Sequence, residues 1–189
     1  MADDRRDQVL AALQALGINA QLNERGRGVS TGVGGRRSLG VIDIAQGPIR
    51  WVNVTVGTGR FVEDGDISTY LVYGVPDPKV GPECPNVGLV AKISGMSGWF
   101  RTADPAGRRV RWEGNDFGLG IKDRVSKDVI VTSAIFDSLY GDSFEIRAYP
   151  ERSRWNLRVK GVIAPSKEEW DFYQSVASQL LETLIPSSF

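Results

Sequence analysis

The sequence predicts an α+β fold, a mostly antiparallel sheet of about seven to nine strands with N-terminal, middle and C-terminal helices packed on it. Three observations predict it. Apolar residues recur at helical spacing near both ends of the chain, over residues 3–16 and again after Ser166. Between them the period drops to two, in short runs rich in Val, Ile, Tyr and Thr and broken by Gly, Pro and Asp. Residues 144–160 carry the clearest hairpin pattern, two alternating runs around "PERS". A chain of 189 residues suits a single domain, 1–189, with no linker long enough to divide it.

Residues 3–16 read as a helix capped by Asp3 or Asp4, with acids where the helix dipole favours them. Val9, Leu10, Leu13 and Leu16 form its apolar stripe, and Gly17 stands at the C-terminal cap. An alternating stretch, Ile18 to Leu22, leads into "RGRGVSTGVGGRR". Four strands follow, in "GVIDIA", "IRWVNVTVG", "STYLVYGV" and "VGLVAKI". In the second, Val52, Val54 and Val56 share one face; Trp51, Asn53 and Thr55 share the other. "VPDPKVGPECPN" holds four prolines, so residues 74–88 read as a Pro-rich surface loop.

"GWFRT" and "RRVRWEG" flank the turn sequence "ADPAG" and suggest a hairpin, followed by a loop at "NDFGLGIKD". Residues 125–140 read either as one helix or as a strand followed by a helix; a helix over 133–140, ended by Gly141, is favoured. In the 144–160 hairpin, Phe144, Ile146 and Ala148 alternate with Glu145, Arg147 and Tyr149. Trp155, Leu157 and Val159 alternate with Arg154, Asn156, Arg158 and Lys160. The last helix starts at Ser166, where Glu169 completes a capping box. Trp170, Tyr173, Val176, Ala177, Leu180, Leu181 and Leu184 make its predicted buried face, and Pro186 stops it.

Histidine is absent, which narrows the chemistry most. Without it there is no Ser-His-Asp or Cys-His nucleophile system and no imidazole metal ligand. With Cys84 the only cysteine, neither an intramolecular disulfide nor a Cys/His zinc site can form. No catalytic residue, metal site or cofactor is therefore assigned. Lys plus Arg and Asp plus Glu are 23 each, and a zero net charge speaks against a dedicated nucleic-acid binder. The charged N-terminus lacks the apolar stretch of a signal peptide, and no run is long enough to span a bilayer, so the expectation is a soluble cytoplasmic protein.

The glycine- and arginine-rich stretch fails both phosphate-loop tests. No lysine lies between Gly26 and Gly40, and Thr31 stands where a dinucleotide loop needs its third glycine. A strand pattern follows it, where either motif needs a helix. It reads as a mobile solvated loop, 25–38, with an anion-binding arm of Arg25, Arg27, Arg36 and Arg37 as the functional alternative. Glu63, Asp64 and Asp66 read as a hairpin turn rather than a calcium loop, because no spaced ligands follow. Glu113, Asp116 and Asp123 offer carboxylates for glycoside hydrolysis only if they face one another across a cleft. Trp112, Trp155 and Trp170 read as core; Trp51 lies opposite its strand's valine face and is either exposed or covered by a second layer.

One surface emerges from the alternation. Arg109, Arg111, Arg147, Arg154, Arg158 and Lys160 all lie opposite apolar positions. If their strands share one sheet, six cations point outward together. The expected function is a non-catalytic accessory or adaptor protein that binds an acidic protein partner, or another copy of itself, through this basic face. Arg25, Arg27, Arg36, Arg37 and Trp51 are secondary candidates. The alternatives are a small-molecule-binding protein or histidine-free enzyme with an Arg/carboxylate pocket, and nucleic-acid backbone binding by the Arg-rich regions. Contact with a membrane surface stays open.

Overall fold

The structure is a computed structural model and describes residues 4–29, 36–58, 67–94, 109–128, 144–161 and 164–185. Helix α1 (Arg5–Ala15) precedes strands β1 (Ala20–Asn23), β2 (Arg37–Ile44), β3 (Trp51–Thr58), β4 (Ile67–Pro76), β5 (Gly88–Ser94) and β6 (Arg109–Asn115). Helix α2 (Ile121–Lys127), strand β7 (Phe144–Tyr149), a 3-10 turn (Pro150–Arg152), strand β8 (Arg154–Lys160) and helix α3 (Lys167–Leu181) complete the order. The eight strands form one sheet in the order β1-β2-β3-β4-β8-β7-β5-β6. Every neighbouring pair is antiparallel. This is the α+β architecture the periodicities predict. The C-terminal hairpin β7–β8 inserts between β4 and β5, so the last strands of the sequence lie at the middle of the sheet.

The three described helices pack on one face. Val9 and Leu13 of α1, Ile121 and Val125 of α2, and Trp170, Phe172, Tyr173, Val176, Ala177 and Leu180 of α3 join a single apolar cluster with the sheet. At its centre Tyr73 meets Tyr173 at 4.5 Å between ring centroids, and Phe144 meets Phe172 at 4.9 Å. Offset and tilted rings at such distances add to the burial energy. Burial also pushes the Tyr73 and Tyr173 phenols well above the ordinary tyrosine value. No described helix is long and apolar enough to cross a membrane.

The capping box of α3 is formed in full. Ser166 Oγ accepts from Glu169 N at 3.2 Å, and Glu169 Oε2 accepts from Ser166 N at 2.8 Å. Ser166→Ala should therefore cost about 1 kcal/mol in urea unfolding, the usual worth of such a cap. An unchanged midpoint would show that packing alone fixes the helix start. At the other end, Leu184 departs from its predicted burial and is 84% exposed. The helix stops at Leu181, so the periodicity that places Leu180 inside does not reach Leu184.

Other expectations shift. Helix α2 starts inside the stretch read as a loop, because a seven-residue helix with only two buried positions shows no usable period. The helix expected over 133–140 and the strand at 98–102 lie outside the described residues, as do Trp99, Glu63, Asp64 and Asp66. The proline-rich connection is shorter than read. Strand β4 runs to Pro76, and the connection to Gly88 turns Val80, Cys84 and Val87 into the core rather than lying on the surface. In the Gly/Arg stretch, residues 30–35 lie outside the description, while its flanks are hydrogen-bonded. Gly28 N donates to Ser38 O at 2.8 Å and Ser38 N to Val29 O at 3.0 Å.

Candidate functional site

The face of the sheet opposite the described helices carries a cleft of about 420 Å³. Register builds it row by row. Trp51, Gly74, Asn156 and Arg147 lie side by side across β3, β4, β8 and β7. The next row is Asn53, Val72, Arg158 and Glu145. Residues paired across a sheet point to the same side, so the alternation along each strand fixes every one of these positions.

A β-bulge decides what β2 contributes. Register shifts between Ser38 and Gly40, with one extra residue between them. Leu39, Ile42 and Ile44 thereby all reach the core, while Arg36 and Ser38 line the cleft. Gly40 permits the bulge at φ +113° and lets the buried Arg6 guanidinium lie against its backbone. Arg6 in turn donates to Glu24 at 2.9 Å. Arg37 pairs with Val56, whose side chain lies in the core, so it sits on the opposite face from Arg36.

Two arginines are held against aromatic rings. The Arg154 guanidinium carbon stands 4.7 Å from the centre of the Trp51 ring and 5.7 Å from that of Tyr149. The indole can lie flat there because residue 74 is glycine; a Cβ at that position would fall 1.9 Å from Trp51 Cε2. On the far side of the cleft, Arg36 stacks on Tyr70 at 3.9 Å, and Arg158 stands 5.6 Å from the same ring. Such contacts fix a guanidinium in place without neutralising it.

Charges are unequal. Among the described residues the cleft is lined by five arginines (36, 147, 152, 154 and 158) and two glutamates (145 and 151). Glu145 is buried and serves two of the arginines, accepting from Arg158 and pairing with Arg147 Nε at 3.3 Å. Among the described residues no carboxylate lies within salt-bridge distance of Arg154 or Arg152. Burial, and then the like charge of Arg152, pull the Arg154 guanidinium below the ordinary arginine value. It remains charged, since arginine does not lose its proton in proteins.

The predicted basic face is thus divided. Arg147, Arg154 and Arg158 line the cleft. Arg111 and Lys160 share its face, beside Lys92 and Tyr70 respectively, but stand outside it. Arg109 opens β6, and only its backbone is described. Of the secondary candidates, Arg36 and Trp51 join the cleft, while Arg25 pairs with Asp43 and Arg27 with Glu24. Trp51 is half-buried, with the Arg154 guanidinium over its ring. Asn156, Tyr149 and Ser38 complete the walls and were not singled out by sequence; Asn156 and Tyr149 were visible as outward positions, whereas Ser38 depends on the bulge.

Other chemistry is sparse. Glu113 is held by Lys92 at 2.7 Å, which lowers its carboxyl below the usual range. Asp116 instead accepts backbone N–H groups at the start of α2, from Gly118 and Lys122. Asp123 lies exposed on α2. Cys84 is buried and its thiol is pushed up, chiefly by that burial. No group of three His, Cys, Asp or Glu side chains suited to a metal occurs among the described residues. Comparison with known proteins gives no match to a family model, a curated protein or a solved structure.

Proposed function

We propose that the protein acts by binding, as a non-catalytic accessory or adaptor that seats an acidic protein partner in the arginine-lined cleft. One observation carries this reading. Among the described residues Arg154, half-buried and fixed on Trp51, has no carboxylate partner, and the arginines lining its cleft outnumber the glutamates five to two. A partly desolvated cation gains from an incoming anion more than a solvated one does. The ionisable groups of the cleft and of the core also favour binding over chemistry. Glu145 is occupied by two arginines, the Tyr73 and Tyr173 phenols are harder to ionise than usual, and the Cys84 thiol is not activated.

The test neutralises exposed cleft arginines and keeps Arg154 on Trp51 and the Arg158–Glu145 pair. Arg147 and Arg152 are both exposed and Arg158 still holds Glu145 without them, so Arg147→Gln with Arg152→Gln should cost about 1 kcal/mol, the worth of the Arg147–Glu145 pair. Proteins captured from the native host by wild type and by the double variant are compared by mass spectrometry. An acidic protein should be retained by wild type, lost from the variant, and released by salt, because exposed charges are screened over about 8 Å. Capture indifferent to the variant and to salt would overturn the reading. The cleft's volume also suits a small organic anion, the second reading, since ligand sites commonly span about 300–1,000 Å³. Displacement of the captured protein by small carboxylates would favour it.

A further inference from the structure

Within the cleft, two polar groups next to each other on β8 lack partners. Arg154 Nε and Asn156 Oδ1 are both buried, and neither has a hydrogen bond. Asn156 is 8% exposed, on a strand whose other face is wholly apolar. An unpaired acceptor in such a place costs about 1–3 kcal/mol. The two groups want opposite things. Arg154 needs an anion; Asn156 Oδ1 needs a donor. Side chains two apart on a strand point to the same face, so one occupant can meet both.

Resting on the binding role proposed above, we infer that the cleft's occupant is an extended acidic peptide segment, its carboxylates seated on Arg154 and Arg152 and a backbone N–H donated to Asn156 Oδ1. Charge complementarity selects the acid. The unpaired acceptor selects a chain that carries an N–H beside it, a donor that a fully ionised phosphate ester lacks. Trp51 and Gly74 position the guanidinium, since the indole packs over the glycine and Arg154 packs over the indole. Asn156 Oδ1 lies beneath the cleft surface, with Arg147 opposite it and Arg154 and Arg158 flanking it on its own strand. The peptide's carboxylates draw these side chains outward and uncover it.

A hexaglutamate peptide with blocked ends is the probe, titrated calorimetrically into the full chain at low salt. Its fully N-methylated counterpart keeps the charge and lacks every N–H. Wild type should bind the first at least about tenfold more tightly, the worth of one well-made hydrogen bond to a desolvated group. Asn156→Leu should erase that difference, and Arg154→Met should weaken both peptides. Inorganic phosphate at matched ionic strength should displace neither. Equal affinity for the two peptides, or no binding of the first, would overturn the peptide assignment. Displacement by phosphate would replace it with a phosphate ligand. In each case the binding role stands or falls separately, on whether Arg147→Gln with Arg152→Gln releases the native partner.

Discussion

Trp155→Ala is expected to leave the protein unfolded or close to it. Trp155 is the largest fully buried side chain among the described residues, on strand β8 in the middle of the sheet. Its Nε1 donates at 3.1 Å to Asp77 Oδ2, and Asp77 is 1% exposed. Asp77 Oδ1 accepts from Lys79 N at 3.0 Å, so one carboxylate pins the end of β4 both to its own turn and to β8. Removing a buried tryptophan ring costs about 3–5 kcal/mol. Leaving Asp77 Oδ2 without its hydrogen bond, with only the Lys79 ammonium 3.8 Å away, adds about 1–3 kcal/mol. Together these approach the whole stability of an ordinary domain, about 5–15 kcal/mol. Trp155→Phe separates the two contributions. It keeps most of the ring volume and removes the donor, so it should show mainly the second cost in urea unfolding. Equal losses for the two variants would assign everything to the Asp77 bond. A loss below about 1 kcal/mol for Trp155→Ala would contradict its place in the core.

Neither the bond nor its weight is visible in the sequence. Trp155 reads as core from its alternation with Arg154 and Asn156, but its partner lies 78 residues away. The sequence signal for Asp77 is only that of a turn residue in a proline-rich stretch. The same division runs through the fold. Strands with strict alternation, such as β3, β7 and β8, are legible because one buried face imposes a period of two. Helix α3 is legible because a cap and a stripe agree. Helix α2 is not, because its stability comes from contacts made by few residues: Ile121, Val125 and the Arg124 bond to Thr183.

The candidate site shows why orientation and convergence are separate questions. Alternation correctly turns Arg147, Arg154 and Arg158 away from the core. Their own hairpin gathers these three. What brings Trp51 and Arg36 beside them is the insertion of β7–β8 between β4 and β5, a non-local pairing that no local pattern encodes. The same pairing leaves Arg111 on the edge strand, beyond the cleft. The adjacent Arg36 and Arg37 carry identical side chains, yet end on opposite faces of the sheet. The Gly74 vacancy that accepts Trp51 likewise appears only once β3 and β4 are in register.

Gly114→Ala is the other substitution expected to be severe, and it acts at the opposite end of the sheet. Gly114 lies on edge strand β6 at φ +108°, a conformation that side chains rarely adopt. A Cβ there would meet Gly88 O at 2.0 Å and Gly88 C at 3.0 Å. Both are backbone atoms of β5, so no rotamer change relieves the clash. The strain alone is worth about 1–3 kcal/mol, and relieving the clash requires β6 to move off β5. That movement loosens Trp112, which packs on Phe144 at 6.1 Å, and the Lys122 Nζ bond to Gly114 O at 2.7 Å that ties α2 to the strand. The total expected is about 3 kcal/mol or more in urea unfolding, within the range reserved for strain at special backbone positions. Gly118→Ala is the control. Its φ is also positive, +77°, but a Cβ there meets nothing within 4 Å, so only the conformational cost of about 1–2 kcal/mol remains. Because β5 and β6 lie outside the rows that build the cleft floor, amide protection in Gly114→Ala should fall first along β6. Hexaglutamate binding by the folded fraction should persist. Simultaneous loss of both would mean that the edge hairpin and the cleft open as one cooperative unit.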